Sequence, residues 1–409
     1  MRNKPRIRFK GFTDAWEQRK FLDLLDAQNG IRRGPFGSSL KKDSFVKKSD
    51  YVVYEQQNAI YDNYETRYFI SKEKYNELIR FNIQPGDFIM SGAGTIGRIS
   101  MVPDGIKKGI FNQALIRFKV NKDSINPLYF LKFMQSDMMQ KQLTQANPGS
   151  AMTNLVPMDE LKKWEVTIPS LEEQNRISIF INQIDEFITL HQRKLEKLKL
   201  AKKALLQKLF PKNGSQFPEI RFKGFTDAWE QRKLGSILIE YTEKNPGNEN
   251  LPVLTSSRQG LIKQEDHFGS VQRHDISDYN VIPLGFCTYR NRSDDKTFTF
   301  NINRIVPRGL VSKFYPVFEI KNGNADFITE YLNNNIEIIK LLAVNAVGTS
   351  QVVLSLRTLR NIDVTFPLKA EQVVIGNFIR KLDIYITLHQ RKLDKLQEVK
   401  KGLLQKMFV

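Results

Sequence analysis

The sequence predicts a mixed α/β protein with a pseudo-two-fold internal repeat, in which two variable α/β regions are joined by two long antiparallel coiled-coil helices. Two repeated segments are the first evidence. Residues 5–20 recur at 218–233 with fifteen of sixteen letters identical, and residues 188–210 recur at 386–408 with seventeen of twenty-three identical. The third observation is that the regions between them differ in sequence but keep a similar order of strand and helix patterns.

The length of 409 residues suits two or three domains, and a hydrophobic content of 41% is enough for packed cores. The offset between the repeats falls from 213 to 198, so the second variable region is fifteen residues shorter than the first. We predict four parts. They are the first repeat with its variable region (1–170), the first long helix (171–212), the second repeat with its variable region (213–369) and the second long helix (370–409).

Cysteine usage and hydropathy indicate the compartment. Cys287 is the single cysteine, which allows no internal disulfide and fits a reducing environment, and we expect it to be a small buried residue. No run approaches 18 consecutive apolar residues, and the first residues lack the apolar core of a secretory signal. We therefore expect a cytoplasmic protein without a membrane partner.

The charge balance points to a polyanionic partner. Lys and Arg total 63 against 44 Asp and Glu, which gives a formal net charge of +19. A basic excess of this size attracts phosphate backbones, and without a membrane signal nucleic acid is the expected polyanion.

Each long helix carries a coiled-coil seam. Residues 172–209 contain neither Gly nor Pro, Pro211 ends the pattern, and apolar residues recur at alternating steps of four and three. At 1.5 Å per residue such a helix is roughly 55 Å long. The seam residues are Ile177, Ile184, His191, Leu195 and Leu198 in the first helix, and Ile375, Leu382, His389, Leu393 and Leu396 in the second.

The partner of each seam is predicted to be the other helix. A pseudo-two-fold axis across the pair makes the helices antiparallel, and with their midpoints aligned the numbers of paired residues sum to 584. We prefer this register to one that is slipped by a heptad. Ile177 then meets Met407, Lys202 meets Leu382, and no polar seam residue faces another. The same symmetry places the C-terminus of the chain beside its N-terminus.

The variable regions are predicted to alternate strands and helices. Each one ends in a strand that is followed by a proline and then by the long helix. The predicted elements are two strands around a Gly-rich loop in 83–105, strands in 111–120, 279–291 and 309–322, and helices at 126–143 and 325–342.

No motif argues for an enzyme. Gly92–Gly97 has the spacing G-x-G-x-x-G, but a β-branched strand follows it instead of the helix that a dinucleotide site requires, so we predict a hairpin loop. Asn126–Tyr129 comes near the Asn-Pro-Pro-Tyr tetrad of amino-methyltransferases, but Asn126 is better explained as a helix N-cap. His267 and His274 have no partners at metal-ligand spacing, so no metal site is predicted.

Basic and amide side chains in both variable regions are of the types that hold phosphates and read base edges. Any one of them could be ordinary solvated surface, and their grouping in a basic chain is what favours DNA. The candidates in the first region are Lys41, Lys42, Arg67, Thr95, Arg98, Asn112 and Gln113. Those in the second region are Arg258, Gln259, Lys263, Arg273, Arg290 and Arg292.

Taken together, these segments give the chain a resemblance to the specificity subunit of type I restriction–modification systems, over essentially its whole length. The carriers are PRIRFKGFTDAWEQRKF and PEIRFKGFTDAWEQRKL at the start of each half. IPSLEEQNRI and FPLKAEQVVI lead into the long helices, and ITLHQRKL with LLQK closes both. The stretch LTSSRQGLIKQEDHF with GLVSKFYPVFEIK also resembles a common type of target-recognition domain.

The resemblance implies that each variable region reads one half of a split, asymmetric site on double-stranded DNA, with the helices setting the unread spacer. It implies a non-catalytic subunit that binds no cofactor itself. Two modification subunits would bind S-adenosylmethionine and methylate adenine, and restriction subunits would use ATP and Mg to translocate and cleave DNA. The base-reading residues of the family vary with the target, so no contact carries over by position.

Two other functions remain open at this point. A solo adenine methyltransferase would use the Gly-rich loop and Asn126–Tyr129, and it would bind S-adenosylmethionine by itself. A coiled-coil scaffold without a DNA role would not cluster Arg and Lys on one face of both variable regions.

Overall fold

The computed structural model describes residues 4–145, 157–247, 250–257, 260–269 and 275–408. The chain forms two compact units. The first comprises Met1–His191 with Lys392–Val409, and the second comprises Gln192–Arg391. Each unit therefore contains one variable region, the N-terminal part of one long helix and the C-terminal part of the other, whereas the predicted boundaries treated the helices as separate pieces.

The first unit contains two four-stranded sheets, with strand orders β2-β9-β6-β7 and β3-β5-β4-β8, and the two-stranded pair β1-β10. The strands are β1 (Glu17–Lys20), β2 (Ile31–Arg33), β3 (Phe45–Val46), β4 (Tyr51–Tyr54), β5 (Tyr68–Ile70), β6 (Phe88–Ser91), β7 (Ile99–Met101), β8 (Gly109–Phe111), β9 (Leu115–Phe118) and β10 (Glu165–Ile168). The helices are α1 (Gln56–Tyr61), α2 (Lys72–Glu77), α3 (Pro127–Met134), α4 (Asp137–Gln145), α5 (Met158–Lys163) and the first half of α6 (Leu171–Leu209).

The second unit has one four-stranded sheet, in the order β12-β20-β16-β18, and four two-stranded pairs. Its strands are β11 (Glu230–Lys233), β12 (Leu238–Tyr241), β13 (Leu254–Ser257), β14 (Gly260–Lys263), β15 (Asn280–Pro283), β16 (Cys287–Tyr289), β17 (Arg292–Ser293), β18 (Phe300–Ile302), β19 (Arg308–Val311), β20 (Val317–Ile320), β21 (Val352–Val353) and β22 (Asp363–Phe366). Its helices are α7 (Gln264–Phe268), α8 (Ala325–Asn334), α9 (Ile336–Asn345), α10 (Leu356–Arg360) and most of α11 (Lys369–Lys406).

The long helices pack antiparallel within each unit. In the first unit Ile177 of α6 and Met407, just beyond α11, are buried in one hydrophobic cluster. In the second unit the Nζ atom of Lys202 lies 2.7 Å from Oδ1 of Asp383. The residue numbers of this ion pair sum to 585, one more than the predicted 584, and the predicted neighbours Ile177 and Met407 lie in the same cluster. None of the ten seam residues named from the sequence is exposed.

The repeated segments at 5–20 and 218–233 make the same contacts in both units. The guanidinium of Arg8 binds Glu173 through two hydrogen bonds of 2.7 and 2.8 Å. Arg221 binds Glu371 through two of 2.7 Å. Because both carboxylates are only 1% exposed, each requires its arginine. The segment thus anchors each variable region to the start of its long helix.

The prediction about the chain ends is confirmed. The backbone N–H of Ile7 donates to the carbonyl of Lys406 at 3.1 Å, and that of Ile220 donates to Lys208 at 3.0 Å. The C-terminal end of α11 therefore lies beside the N-terminal segment of the chain, as the end of α6 lies beside the second repeat.

Five predicted elements were wrong in extent. The strand patterns at 279–291 and 309–322 each contain two strands separated by a turn, β15 with β16 and β19 with β20. Residues 111–120 are not one strand, because the turn Asn112–Ala114 separates β8 from β9. Residues 126–143 form two helices, with Ser136 between them accepting from the Met139 N–H at 3.4 Å. Residues 325–342 are also divided, because the Asn335 side chain accepts backbone N–H groups and caps α9. In each case a polar side chain or a turn ends a pattern that hydropathy alone reads as continuous.

No helix among the described residues is long and apolar enough to span a bilayer.

Candidate nucleic-acid interface

The strands of the first unit bring several candidate residues to one end of its sheets. Pairing in the first sheet aligns the ends of β2 and β6 with the start of β9, and pairing in the second aligns the end of β4 with the end of β8. The turn Asn112–Ala114 joins the two sheets at this end. We call the loop edge the set formed by loop 33–39, Glu55, Arg67, the hairpin loop 92–98 and this turn.

Close backbone contacts hold the turn at the centre of the loop edge. The N–H of Gly34 donates to the Leu115 carbonyl at 3.0 Å, and that of Gly92 donates to Ala114 at 2.7 Å. A Cβ atom on Gly34 would lie 1.9 Å from the carbonyl oxygen of Asn112, so only glycine allows this approach. Asn112 is thereby fixed half-buried, while Gln113 remains exposed beside it.

Thr95 and Arg98 lie in the hairpin loop between β6 and β7, and both are exposed. The Ser91 hydroxyl accepts from the Arg98 N–H at 3.1 Å and closes the loop. Gly94 and Gly97 have positive φ angles, which explains the glycines of this G-x-G-x-x-G spacing. The prediction of a hairpin loop is confirmed, and a strand instead of a helix follows it.

Arg67 reaches the same edge with a carboxylate partner. Its guanidinium donates to Glu55 at 2.9 Å and lies over the Tyr68 ring at 4.9 Å. Hydrogen bonding to Glu55 raises the pKa of Arg67, so its positive charge is secure. Because Glu55 neutralises that charge locally, Arg67 offers less to a phosphate than Arg98 does.

The two lysine candidates of the first region follow the loop 33–39. Lys41 is exposed, in the segment that leads to β3. Lys42 begins the short 3-10 helix Lys42–Ser44, and its side chain lies outside what the structure describes. Five of the seven candidates, Arg67, Thr95, Arg98, Asn112 and Gln113, therefore lie on the loop edge although up to 46 positions separate them in the chain.

In the second unit, Arg290 and Arg292 line a depression of about 430 Å³ together with Ser257 and His267. The amide of Asn301 donates to Ser256 Oγ at 2.7 Å and to the Ser257 carbonyl at 2.9 Å, which ties the β13-β14 hairpin to β18. The depression is thus formed by elements fixed to the main sheet.

Arg292 itself is held by a ring. Its guanidinium carbon lies 3.9 Å from the centroid of Phe314, and the side chain is exposed on its other side. Lys263 is exposed at the end of β14, with Glu265 3.8 Å away. Arg258, Gln259 and Arg273 lie outside the described residues; the first two connect Ser257 to Gly260, which are paired across the hairpin.

Sequence reasoning missed Phe36 and Tyr61. Among the described residues Phe36 is 86% exposed and Tyr61 76%. Phe36 lies on the loop edge, and Tyr61 ends α1, the helix that begins directly after Glu55. The signal for Phe36 was an aromatic residue in a Gly- and Pro-rich segment that follows two arginines, RRGPFG. The segment fits neither a helix nor a strand period, so periodicity alone does not single it out.

The residues once considered for chemistry have structural roles. The Asn126 side chain accepts the Tyr129 N–H at 2.9 Å and caps α3, and Asn324 does the same for α8. Cys287 is fully buried, and this burial raises the pKa of its thiol to about 12. Within the described ranges, no group of three or more His, Cys, Asp or Glu residues could hold a metal ion.

Comparisons with known proteins agree with this arrangement. Residues 14–200 and 297–398 match the family described as type I restriction modification DNA specificity domain, which covers more than half of the chain. The putative type I restriction enzyme MjaX specificity subunit of Methanocaldococcus jannaschii is 20% identical, over 96% of this chain and 92% of that protein.

Two solved structures share the fold. The type I restriction–modification S subunit from M. genitalium has a TM-score of 0.62 at 15% identity, over 99% of both chains. A chain from a study of complex assembly and conformational transition of the type I R-M system has a TM-score of 0.52 at 16% identity, over 95% of this chain and 96% of that one. The chain therefore belongs to the family of type I restriction–modification DNA specificity subunits, whose role is DNA recognition and not catalysis.

Proposed function

We propose that this subunit reads a bipartite, asymmetric DNA site, one half with the loop edge of the first unit and the other half with the Arg290–Arg292 depression of the second. The observation that carries the proposal is a shared scaffold with different reading residues. Gln174 accepts the Asn126 N–H at 2.8 Å, and Gln372 accepts the Asn324 N–H at 3.1 Å. By contrast, no asparagine or glutamine is among the described residues that line the second unit's depression, whereas Asn112 and Gln113 lie on the loop edge.

The chemistry of these surfaces suits a duplex. Arginine donates two parallel hydrogen bonds to guanine, and asparagine or glutamine can pair in the same way with adenine, so both surfaces carry groups able to discriminate bases. The exposed lysines and the net charge of +19 supply the non-specific attraction to phosphates. Because the two sets of reading residues differ, the two half-sites should differ in sequence.

In this proposal the long helices set the spacer between the half-sites. Half-sites that face one side of the duplex lie about 34 Å apart, a distance that helices of 39 and 38 residues can span. The repeated segments 11–20 and 224–233 would dock two modification subunits, because identical letters offer each partner the same surface. Restriction subunits would join the same complex for cleavage.

The chain would work in the cytoplasm and would bind no cofactor of its own. S-adenosylmethionine would bind the modification subunits, and ATP with Mg would bind the restriction subunits. A specificity subunit with this division of labour is needed for both methylation and restriction.

The test is genome-wide adenine methylation in a host free of such methylation. One strain expresses the modification partner alone, and the other expresses the partner with this chain. A new split, asymmetric motif in the second strain alone is the expected result. Absence of a motif, when both proteins are present and associated, would exclude the proposal.

A domain exchange tests the assignment of each half-site. Replacing 234–369 with the corresponding region of another specificity subunit should change one half of the motif and leave the other half and the spacer unchanged. A change in both halves would contradict the modular assignment.

A further inference from the structure

The loop 33–39 presents an aromatic ring to solvent. Phe36 is 86% exposed, the highest value for a large hydrophobic side chain among the described residues. The preceding Pro35 is buried, and Arg33 at the start of the loop is exposed. A phenyl ring in water is unfavourable, and single exposed apolar residues are common, so the exposure alone assigns no role.

The backbone around Phe36 is fixed, and this distinguishes it from a ring on a mobile tip. The Gly34 N–H donates to Leu115 at 3.0 Å, and the tight approach of Gly34 to Asn112 leaves no room for another residue type. On the other side, the Ser39 N–H donates to the Phe36 carbonyl at 2.8 Å and closes a short 3-10 helix. Gly34 is therefore held against β9, and Phe36 itself takes part in a hydrogen-bonded turn within the loop.

The neighbours of the ring are polar groups that suit DNA. The turn Asn112–Gln113 borders the loop, and a Cβ atom on Gly37 would lie 3.0 Å from the side-chain oxygen of Gln113. A protein partner would normally require a contiguous apolar patch, whereas here one ring stands among amide and cationic groups. Every base has an apolar face on which a ring can stack, and apolar side chains are known to insert between base steps.

We propose that Phe36 stacks on, or inserts between, bases of the half-site that the first unit reads. This rests on the proposed function, and it adds a contact that carries no charge and makes no hydrogen bond. The pinned backbone lowers the entropic cost of placing the ring, and Gln113 is close enough to read a base next to the step that the ring opens.

The experiment uses the full chain co-purified with its modification subunit, and a duplex of about 30 base pairs that carries the motif found by methylation mapping. The Phe36→Ala variant should raise the Kd about 5- to 150-fold, the range that one base–aromatic stack contributes. The Phe36→Trp variant should stay within about threefold of the wild type, and DNA should quench the fluorescence of the new indole.

Two further readouts identify the contact as stacking. The slope of log Kd against log salt concentration should be the same in Phe36→Ala as in the wild type. Arg33→Ala removes a candidate phosphate contact and should reduce the magnitude of this slope by about 1. A 2-aminopurine placed in turn at each adenine of the half-site should brighten at one position with the wild type and remain dim with Phe36→Ala.

The matched control is Leu22→Ala, in the same unit. Leu22 is 38% exposed. It is two residues from Leu24, whose carbonyl accepts a hydrogen bond from the Asn121 N–H, just beyond the end of β9 that is opposite the loop edge. This variant should bind within twofold of the wild type. If Phe36→Ala also binds within twofold, the stacking role is wrong while the proposed function stands.

The remaining outcomes are also decisive. Weak binding of both Phe36→Ala and Phe36→Trp, with a lowered melting temperature, would show that the ring supports the fold and would overturn the proposal. If the wild-type complex shows no preference for any motif, the proposed function fails and the assignment of Phe36 fails with it.

Discussion

The Nζ atom of Lys202 lies 2.7 Å from Oδ1 of Asp383, and the same ion pair recurs where Lys400 lies 2.6 Å from Oδ1 of Asp185. The two lysines are 198 residues apart in the chain, and so are the two aspartates. Each pair links α6 to α11 inside one unit and thereby fixes the antiparallel register at that point. The lysine that interrupts each apolar seam is thus the residue that specifies the alignment.

The third member of each cluster has opposite charge in the two units. Asp185 also binds Lys132 of α3 at 2.5 Å, and Lys202 also binds Glu330 of α8 at 3.0 Å. Lys132 and Glu330 are again 198 residues apart. One cluster therefore has two cations around a carboxylate, and the other has two carboxylates around a cation.

This inversion predicts unequal effects of the same substitution. Asp185→Asn removes the carboxylate that lies between Lys132 and Lys400, and Lys132 is only 6% exposed, so this substitution should cost about 3 kcal/mol. Asp383→Asn leaves Lys202 paired with Glu330 and should cost less than about 1 kcal/mol. Urea denaturation measures both. Asp363→Asn, an exposed carboxyl in the second unit, is the control, and equal losses at 185 and 383 would contradict the charge argument.

Glu330 should make stability depend on pH. Burial is the main cause that raises its pKa, the nearby Asp383 adds to the effect, and Lys202 opposes it. Burial would by itself lower the pKa of Lys202, but Glu330 and Asp383 outweigh it and the net pKa is raised. We therefore expect Lys202 to remain charged across the neutral pH range. In the same range the ionised form of Glu330 is unfavourable in its buried position.

A raised carboxyl pKa means that the folded state binds the proton more tightly than the unfolded chain does. The contribution of Glu330 is then fully present below its unfolded pKa, near 4.5, and is lost as the pH rises through the folded value. Glu330→Gln should match the wild type at pH 4 and be more stable than it at pH 7, by unfolding free energy. Glu319→Gln controls for the loss of one negative charge. A variant less stable than the wild type at pH 7 would refute this reading.

The buried pairs with Glu173 and Glu371 account for the arginine that both copies of the repeated segment keep, at 8 and at 221. Arg8→Ala or Arg221→Ala would leave a carboxylate that is 1% exposed without its partner, at a cost of about 3 to 5 kcal/mol each. Arg19→Ala and Arg232→Ala break exposed pairs in the same segments and should cost less than about 1 kcal/mol. Thermal unfolding of the four variants checks the ranking, and similar losses at all four would show that burial is not the cause.

The spacer proposal predicts the effect of lengthening both helices together. Seven residues, one heptad, would be inserted after Lys194 and after its equivalent Lys392, so that the seam and the pairing outside the insertions are kept. The added rise of about 10 Å corresponds to about three base pairs. Methylation mapping should then report both half-sites unchanged and a longer spacer. An unchanged spacer would exclude the helices as its determinant.

The local sequence pattern was sufficient to predict the long helices and the order of the secondary-structure elements. The seam of α6 and α11 is visible because a 3.5-residue period survives over many turns, and the repeats reveal equivalent positions by identity alone. The hairpin at 92–97 was predictable because glycines between β-branched residues favour a turn. Ser136 and Asn335 cap new helices inside apolar patterns that look continuous, and a period does not show where a side chain prefers to cap.

The sequence by itself therefore determined the two-fold plan, the long helices and their antiparallel register, because these depend on short-range periods and on letter identity. Only the tertiary structure decided that Arg67, Arg98 and Gln113 share one edge, that Phe36 is exposed beside them, and that residues 132 and 330 invert a charge cluster. These relationships arise from strand pairing and helix packing between residues far apart in the chain. Long-range contacts of this kind produce no periodic pattern in the sequence, because each residue type suits its distant partner and does not depend on its neighbours in the chain.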